Sequence, residues 1–255
     1  MSTSRHGRTL GLQGPRTALV TGASTGLGAV VATYLAKQGY DLIITARHER
    51  PLARAARTMA ADGGSVTAIP GDVKAAGHRQ ALQEAVHRRG RLDLLINNAS
   101  ALGPSPLPPL AEHPIEDLRG VLEVNLIAPI SLVQHVLPYL EASGGLIVNI
   151  TSDAAHGGYV GWGGYGGSKA ALELASLTLA NELRDRGIGV VAVDPGDLRT
   201  AMHQRAFPGE DISDRPKPEV TLPFWAWLLE QPPLAVSGQR LGAQSERWEI
   251  VHAGD

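Results

Sequence analysis

Short runs of Val, Ile and Leu, bounded by Gly, Asp or Asn, recur along this chain, and longer stretches between them return an apolar residue every three or four positions. The runs at 17–21, 41–46, 66–70, 92–97, 145–151 and 188–194 are nearly all apolar and do not alternate with polar residues. That is the pattern of strands buried on both faces. The helical periodicity falls at 26–38, 51–62, 76–89, 115–140 and 165–186, with a later helix at 218–229 and a last short strand at 239–242. Strand and helix in strict alternation predict a parallel sheet with helices on both faces, an α/β doubly wound domain. Prolines at 104, 106, 108 and 109 mark a loop within it. Residues 1–15 are polar and read as a disordered leader. Residues 16–243 read as the single domain, with a mobile Gly-, Pro- and charge-rich lid at 201–217, and 244–255 as a C-terminal tail.

Composition narrows the function classes. The chain has 255 residues, 43% hydrophobic and 19% charged, with a formal net charge of -2. That balance predicts neither a nucleic-acid nor a membrane partner. No uninterrupted apolar stretch approaches the roughly 20 residues of a membrane helix. Cysteine is absent, so disulfides, thiolate metal sites and cysteine nucleophiles are excluded. The nine histidines show no paired-ligand spacing, and no metal site is expected. These features fit a cytoplasmic protein.

Three polar motifs interrupt the apolar framework. The first is Thr21-Gly22-Ala23-Ser24-Thr25-Gly26-Leu27-Gly28, between the first strand and first helix. Glycines at 22, 26 and 28 allow a tight turn and close approach of backbone to a pyrophosphate, with a helix N-terminus aimed at it. The second is Ala46-Arg47-His48 at the end of the second strand. A carboxylate there would bind a ribose 2′-hydroxyl, whereas an arginine accommodates a 2′-phosphate; Arg47 fits the latter or is a solvated surface side chain. The third joins Ser152 to Tyr165 and Lys169. Tyr and Lys four residues apart share a helix face. A neighbouring ammonium lowers a phenol's pKa and readies it for proton transfer.

These motifs, in register with others, make the chain resemble the short-chain dehydrogenase/reductase family from about Arg16 to Gly242. The resemblance implies a Rossmann-type fold and a nicotinamide cofactor, NADP(H) on the strength of Arg47, with NAD(H) the less favoured choice. It implies a catalytic tetrad of Asn125, Ser152, Tyr165 and Lys169. Tyr165 is the proton donor, Lys169 lowers its pKa and holds the ribose, Ser152 bonds the substrate oxygen, and Asn125 anchors a water chain. It places Gly22, Ser24, Thr25, Gly26, Leu27, Gly28, Asp72, Val73, Asn98, Ala99, Pro195, Gly196 and Thr200 at the cofactor, together with Tyr165 and Lys169. Relatives are commonly dimers or tetramers. The chain departs from the family pattern in three places: Ser100 stands where glycine usually follows Asn-Asn-Ala, Thr25 where NADP-dependent relatives often carry a basic residue, and Asp153 adds a negative charge beside the catalytic serine.

The expected activity is NADPH-dependent reduction of a ketone to an alcohol. Two alternatives are an NAD-dependent alcohol dehydrogenase working oxidatively and a non-catalytic dinucleotide-binding regulator. The Gly-rich loop between Ser152 and Tyr165 is expected to line the substrate pocket through His156 and Trp162. Trp225 and Trp227 are expected in a core or an interface.

Overall fold

The computed structural model describes residues 14–61 and 63–250. Of the sequence expectations, most of the leader, Asp62 at the end of the second helix and the last residues of the tail lie outside these. Seven strands form one parallel sheet: β1 (Thr17–Thr21), β2 (Asp41–Ala46), β3 (Val66–Pro70), β4 (Leu94–Asn97), β5 (Leu146–Ile150), β6 (Gly189–Asp194) and β7 (Arg240–Gly242). Their order is β3-β2-β1-β4-β5-β6-β7. The direction of winding reverses between β1 and β4, which leaves a crevice at the carboxyl ends of those strands.

Alternate residues of each strand serve two separate cores. Ala18 and Val20 of β1, Leu42 and Ile44 of β2 and Val148 of β5 face one core. It is closed by α1 (Gly26–Lys37), α2 (Glu49–Ala61) and α9 (Leu222–Glu230). Leu19, Ile43 and Ile147 face the other. That one is closed by α3 (Ala76–Arg89), α5 (Ala128–Ser143) and α7 (Gly163–Leu183). Burial on both faces is why the strands read as unbroken apolar runs. Trp225 is buried in the first core, as expected, and Trp227 packs on it. Residues beyond Gly242 also belong to that core. Trp248 stacks against Phe224 and Trp227, and its indole N–H donates to Gly242 O at 2.9 Å.

Several boundaries depart from the periodicity. The expected helix at 115–140 is α4 (Ile115–Leu122), one π turn at Glu123–Ile127, and then α5. Asn125 sits in the middle of that π turn, where its side chain leaves the helix to bond the Ala101 backbone. Such turns concentrate at functional sites. The 29-residue span Ile115–Ser143 is also long and apolar enough, by composition, to cross a membrane, which corrects the reading of local apolar runs. Here it is a core helix: Leu132, Val133, Val136 and Leu140 pack on the sheet. The helix expected at 218–229 begins as a 3-10 turn, Pro218–Thr221, before α9. Three short helices escaped the pattern because one turn carries no periodicity: α6 (Ala154–Gly157), α8 (Ala201–Ala206) and α10 (Pro233–Val236).

A buried polar relay crosses the second core. Asn97 Nδ2 donates to Asn149 Oδ1 at 2.8 Å, Asn149 Nδ2 to Ser176 Oγ at 2.8 Å, and Ser176 Oγ to Leu172 O at 2.6 Å. The middle member fixes β4, β5 and α7 together. Asn149→Ala should leave the buried Asn97 amide without its acceptor and Ser176 with only its bond to Leu172 O, and lower unfolding free energy by about 1–3 kcal/mol. Urea denaturation followed by circular dichroism measures this; a change within experimental scatter would show that the relay carries no stability.

Candidate active site

The crevice is a cleft whose walls follow the carboxyl ends of six strands. Gly22, Ser24, Thr25, Gly26, Leu27 and Gly28 come from β1, Arg47 and His48 from β2, and Asp72 and Val73 from β3. Asn98 to Leu102 follow β4, Ser152 and Asp153 follow β5, and Pro195, Gly196 and Thr200 follow β6. Trp162, Tyr165 and Lys169 close the floor from α7 and the loop before it.

At one end the glycine loop forms a cradle that only glycine can build. Gly22 has φ +69°, and a Cβ there would lie 2.8 Å from Asn98 Nδ2. A Cβ on Gly28 would collide with that same amide and with Gly22 O. Asn98 holds the loop in place, donating from Nδ2 to Thr21 O at 2.8 Å and Gly22 O at 3.2 Å. Thr21 returns the contact, its Oγ1 accepting from the N–H groups of Asn98 and Ala99 at 3.0 and 2.9 Å. Thr25 is the N-cap of α1 and its side chain makes no capping bond. The first-turn amides of α1 thus sit beside the cradle, with the helix dipole behind them. Arg47 is exposed at the far rim, and no carboxylate ends β2. Asp72 stands opposite, its Oδ1 accepting from Lys74 N at 3.0 Å. Under it lies His78, which sequence reasoning missed. Its Nε2 is 2.7 Å from Thr45 Oγ1, its ring fills the space a side chain at Gly71 would need, and burial pushes its pKa down. These residues fit a dinucleotide: a backbone cradle for a pyrophosphate, a polar wall, and a cation at the rim.

At the other end the four tetrad residues come together. Asn125 and Lys169 are buried, and Tyr165 nearly so. Lys169 Nζ donates to Ile150 O at 2.7 Å and lies 5.5 Å from the centre of the Tyr165 ring. Asn125 Nδ2 donates to Ala101 O and Ser168 Oγ, both at 2.9 Å; its Oδ1 accepts from Ala101 N at 2.8 Å and Ser100 Oγ at 3.1 Å. Ser152 Oγ donates to Asp153 Oδ1 at 2.9 Å.

Electrostatics correct one expectation. Lys169 was expected to lower the Tyr165 pKa, yet burial pushes this phenol up to about 12. The hydroxyls of Ser100 and Ser152 act against that rise, while Asp194 and Asp153 add to it. Burial also brings Lys169 down to about 8, opposed by the charge of Glu173. Desolvation outweighs pairwise attraction because both groups sit where water is excluded. In the protein alone, Tyr165 therefore keeps its proton across the neutral range.

Trp162 meets Tyr165 edge-on, ring centres 5.8 Å apart, and also contacts Phe207. With Leu102, Leu107, Met202 and Ala206 it forms an apolar wall. His156 does not join it. This exposed side chain turns to α7, where its Nε2 pairs with Glu173 Oε2 at 2.6 Å, and it does not line the cleft, unlike the expectation for it. Thr200 Oγ1 caps α8, accepting from His203 N at 3.2 Å. The segment expected to be a lid begins with α8, which lines the cleft and is anchored by Ser105 Oγ donating to Arg205 O at 2.6 Å. No group of three or more metal-ligating side chains occurs among the described residues.

The family model described as short chain dehydrogenase matches residues 16–211. Serine 3-dehydrogenase of Agrobacterium fabrum is 34% identical over 186 residues, 72% of each chain. A short-chain dehydrogenase structure from Pseudomonas syringae covers 96% of this chain and 99% of its own, with 33% identity and a TM-score of 0.84. Another, from Escherichia coli CFT073 in complex with NADPH, covers 90% and 97%, with 31% identity and a TM-score of 0.82. The chain belongs to the short-chain dehydrogenases, oxidoreductases that use nicotinamide dinucleotides.

Proposed function

We propose that this protein is an NADPH-dependent reductase of ketones. The observation that carries the reading is Tyr165: a buried phenol that holds its proton at neutral pH, between two serine hydroxyls, over an open cleft. A bound nicotinamide dinucleotide supplies hydride to the carbonyl carbon. Everything else is done by side chains. Ser152 turns its O–H to the carbonyl oxygen and stabilises the charge that grows there. Tyr165 gives its proton to that oxygen as general acid. Lys169, beside Tyr165, favours the phenolate left behind and is placed to hold a ribose hydroxyl. Asn125, with all four of its amide bonds occupied, locks the loop after β4 against α7. Arg47 is the residue to fork onto a 2′-phosphate, and the NADPH-bound relative supports that choice.

A second reading, oxidation of an alcohol, is favoured by the name of the serine 3-dehydrogenase relative. It requires the phenolate, which the elevated Tyr165 pKa disfavours. We also place a homo-oligomer contact on α7, where Leu174 and Leu177 are exposed apolar side chains.

The activity is tested by screening carbonyl compounds for NADPH consumption. With a substrate in hand, NADPH should exceed NADH in kcat/KM by at least about tenfold, the scale of one charge-assisted hydrogen bond. Ala46→Asp with Arg47→Leu should move preference toward NADH. Equal use of both cofactors by the unaltered enzyme would remove Arg47 from the argument.

Tyr165→Phe should lower turnover by about 10²–10⁴-fold with NADPH binding retained. Lys169→Ala should weaken binding as well. In the unaltered protein, NADPH affinity should be constant at low pH and fall as pH rises through about 8, where free Lys169 loses its proton. The sign follows because an anionic ligand favours the charged lysine, so its contribution is complete below that pKa and lost above it. Fluorescence titration across the pH range reads both effects; near-normal turnover of Tyr165→Phe would mean another proton donor.

Light scattering at micromolar concentration should give a dimer or tetramer, and Leu174→Glu with Leu177→Glu should shift it toward monomer. A monomer from the unaltered chain would refute the assembly.

A further inference from the structure

Ser152 has one hydroxyl hydrogen, and it is given to Asp153. The other oxygen of that carboxylate, Oδ2, accepts from the Tyr159 hydroxyl at 3.1 Å. Asp153 stands at the N-cap of α6, a place where an aspartate ordinarily caps the helix, yet its side chain caps nothing. It is turned to the catalytic serine and lines the cleft.

The charges around it are committed elsewhere. Arg240 holds Glu173 and Asp194, each at 2.9 Å, and His156 holds Glu173. Among the described residues no ion pair involves Asp153. A carboxylate without a counter-charge therefore faces the cleft beside the reacting position. Its charge is felt by the two nearest phenols, Tyr159 and Tyr165, both of which it pushes up.

Resting on the assignment of Ser152 and Tyr165 as the reaction centre, we infer that Asp153 selects substrates bearing a protonated amine on the carbon next to the carbonyl, or one carbon further. The preferred compounds are amino ketones and the amino alcohols they become. The reason is a donor count. Ser152 serves a carbonyl oxygen only by turning its hydrogen away from Asp153 Oδ1. Asp153 is exposed, so that oxygen then turns to water or to a donor that the substrate presents beside it. An ammonium group replaces the lost bond and also neutralises the charge. A hydroxyl replaces the bond alone, a methyl group does neither, and a carboxylate is repelled. The ammonium has a further effect: by neutralising Asp153 it removes one of the charges that oppose ionisation of Tyr165.

The test uses four phenyl ketones that differ only in the group on the α-carbon: ammonium, hydroxyl, methyl or carboxylate. The phenyl ring suits the apolar wall of Trp162, Leu102 and Met202. Each is reduced with saturating NADPH below the pKa of the amine. The amino ketone should exceed the methyl ketone in kcat/KM by about tenfold or more, mainly through KM, and the carboxylate should fall below methyl. Asp153→Asn should compress that spread to within a few-fold, and added salt should compress it in the unaltered enzyme. Equal rates for the amino and methyl ketones, or a preference that survives Asp153→Asn, would overturn the role of Asp153 alone. If none of the four is reduced, the carbonyl-reductase reading falls with it.

Discussion

The seam between β5 and α7 is the constraint on which the rest of the molecule depends. Consecutive residues of the strand end are tied to successive turns of the helix. Asn149 bonds Ser176, Ile150 O accepts from Lys169, Thr151 Oγ1 donates to Glu173 Oε1 at 2.6 Å, and Ser152 meets Tyr165 across the cleft. Residues 165, 169, 173 and 176 lie on one face at intervals of three or four, so a single helix orientation satisfies every link. The seam does more than hold the fold. It fixes the rotation of α7 about its axis and with it the direction of the Tyr165 phenol. Buried polar links of this kind penalise any other register, because each unmade bond would leave a group desolvated and unpaired.

Burial is also what sets the chemistry. Lys169 is a cation 1% exposed, with a backbone carbonyl as its hydrogen-bond partner. Its nearest charge, Glu173, is one helical turn away and shared with Arg240 and His156. Glu173 is thus held by other partners, while Lys169, bonded to Ile150 O, lines the cleft. Asp194 is neutralised by the same Arg240. One arginine on the last strand therefore pairs two carboxylates, yet Asp194 still raises the Tyr165 pKa, ahead of Asp153, which has no ion pair among the described residues.

Much of this was legible in the chain. Five of the six longer strands are buried on both faces, so their apolar runs are unambiguous, while β3 at the sheet edge is only half-buried, and the glycine positions at 22 and 28 are forced by contacts with Gly22 O and Asn98 that no side chain could share. The spacing of Tyr165 and Lys169 on one helix face also follows from geometry alone. What was not legible depends on partners distant in sequence. The resemblance marked Asn125, but the periodicity ran one helix through it; its π turn, from which the side chain reaches Ala101 and Ser168, is something periodicity cannot show. His156 is drawn from the cleft by Glu173, 17 residues further on. The direction of the Tyr165 pKa shift was misread because a neighbouring cation is visible in sequence and the depth of burial is not.

The two serines beside Tyr165 illustrate how the frame and its variable parts divide the work. Ser152 follows β5 and Ser100 follows β4, neighbouring strands of the sheet, so their hydroxyls approach the phenol from two separate backbones. Each has one hydrogen, and each spends it on a side-chain oxygen in this structure: Ser152 on Asp153, Ser100 on Asn125. Turned to the phenol instead, either hydroxyl lowers the Tyr165 pKa against a larger rise from burial. A glycine at 100 would remove one of the two and leave Asn125 Oδ1 with the Ala101 amide alone. The extra hydroxyl therefore answers the extra charge: Asp153 opposes ionisation of Tyr165 from one side of the site, and Ser100 offsets part of that opposition from the other.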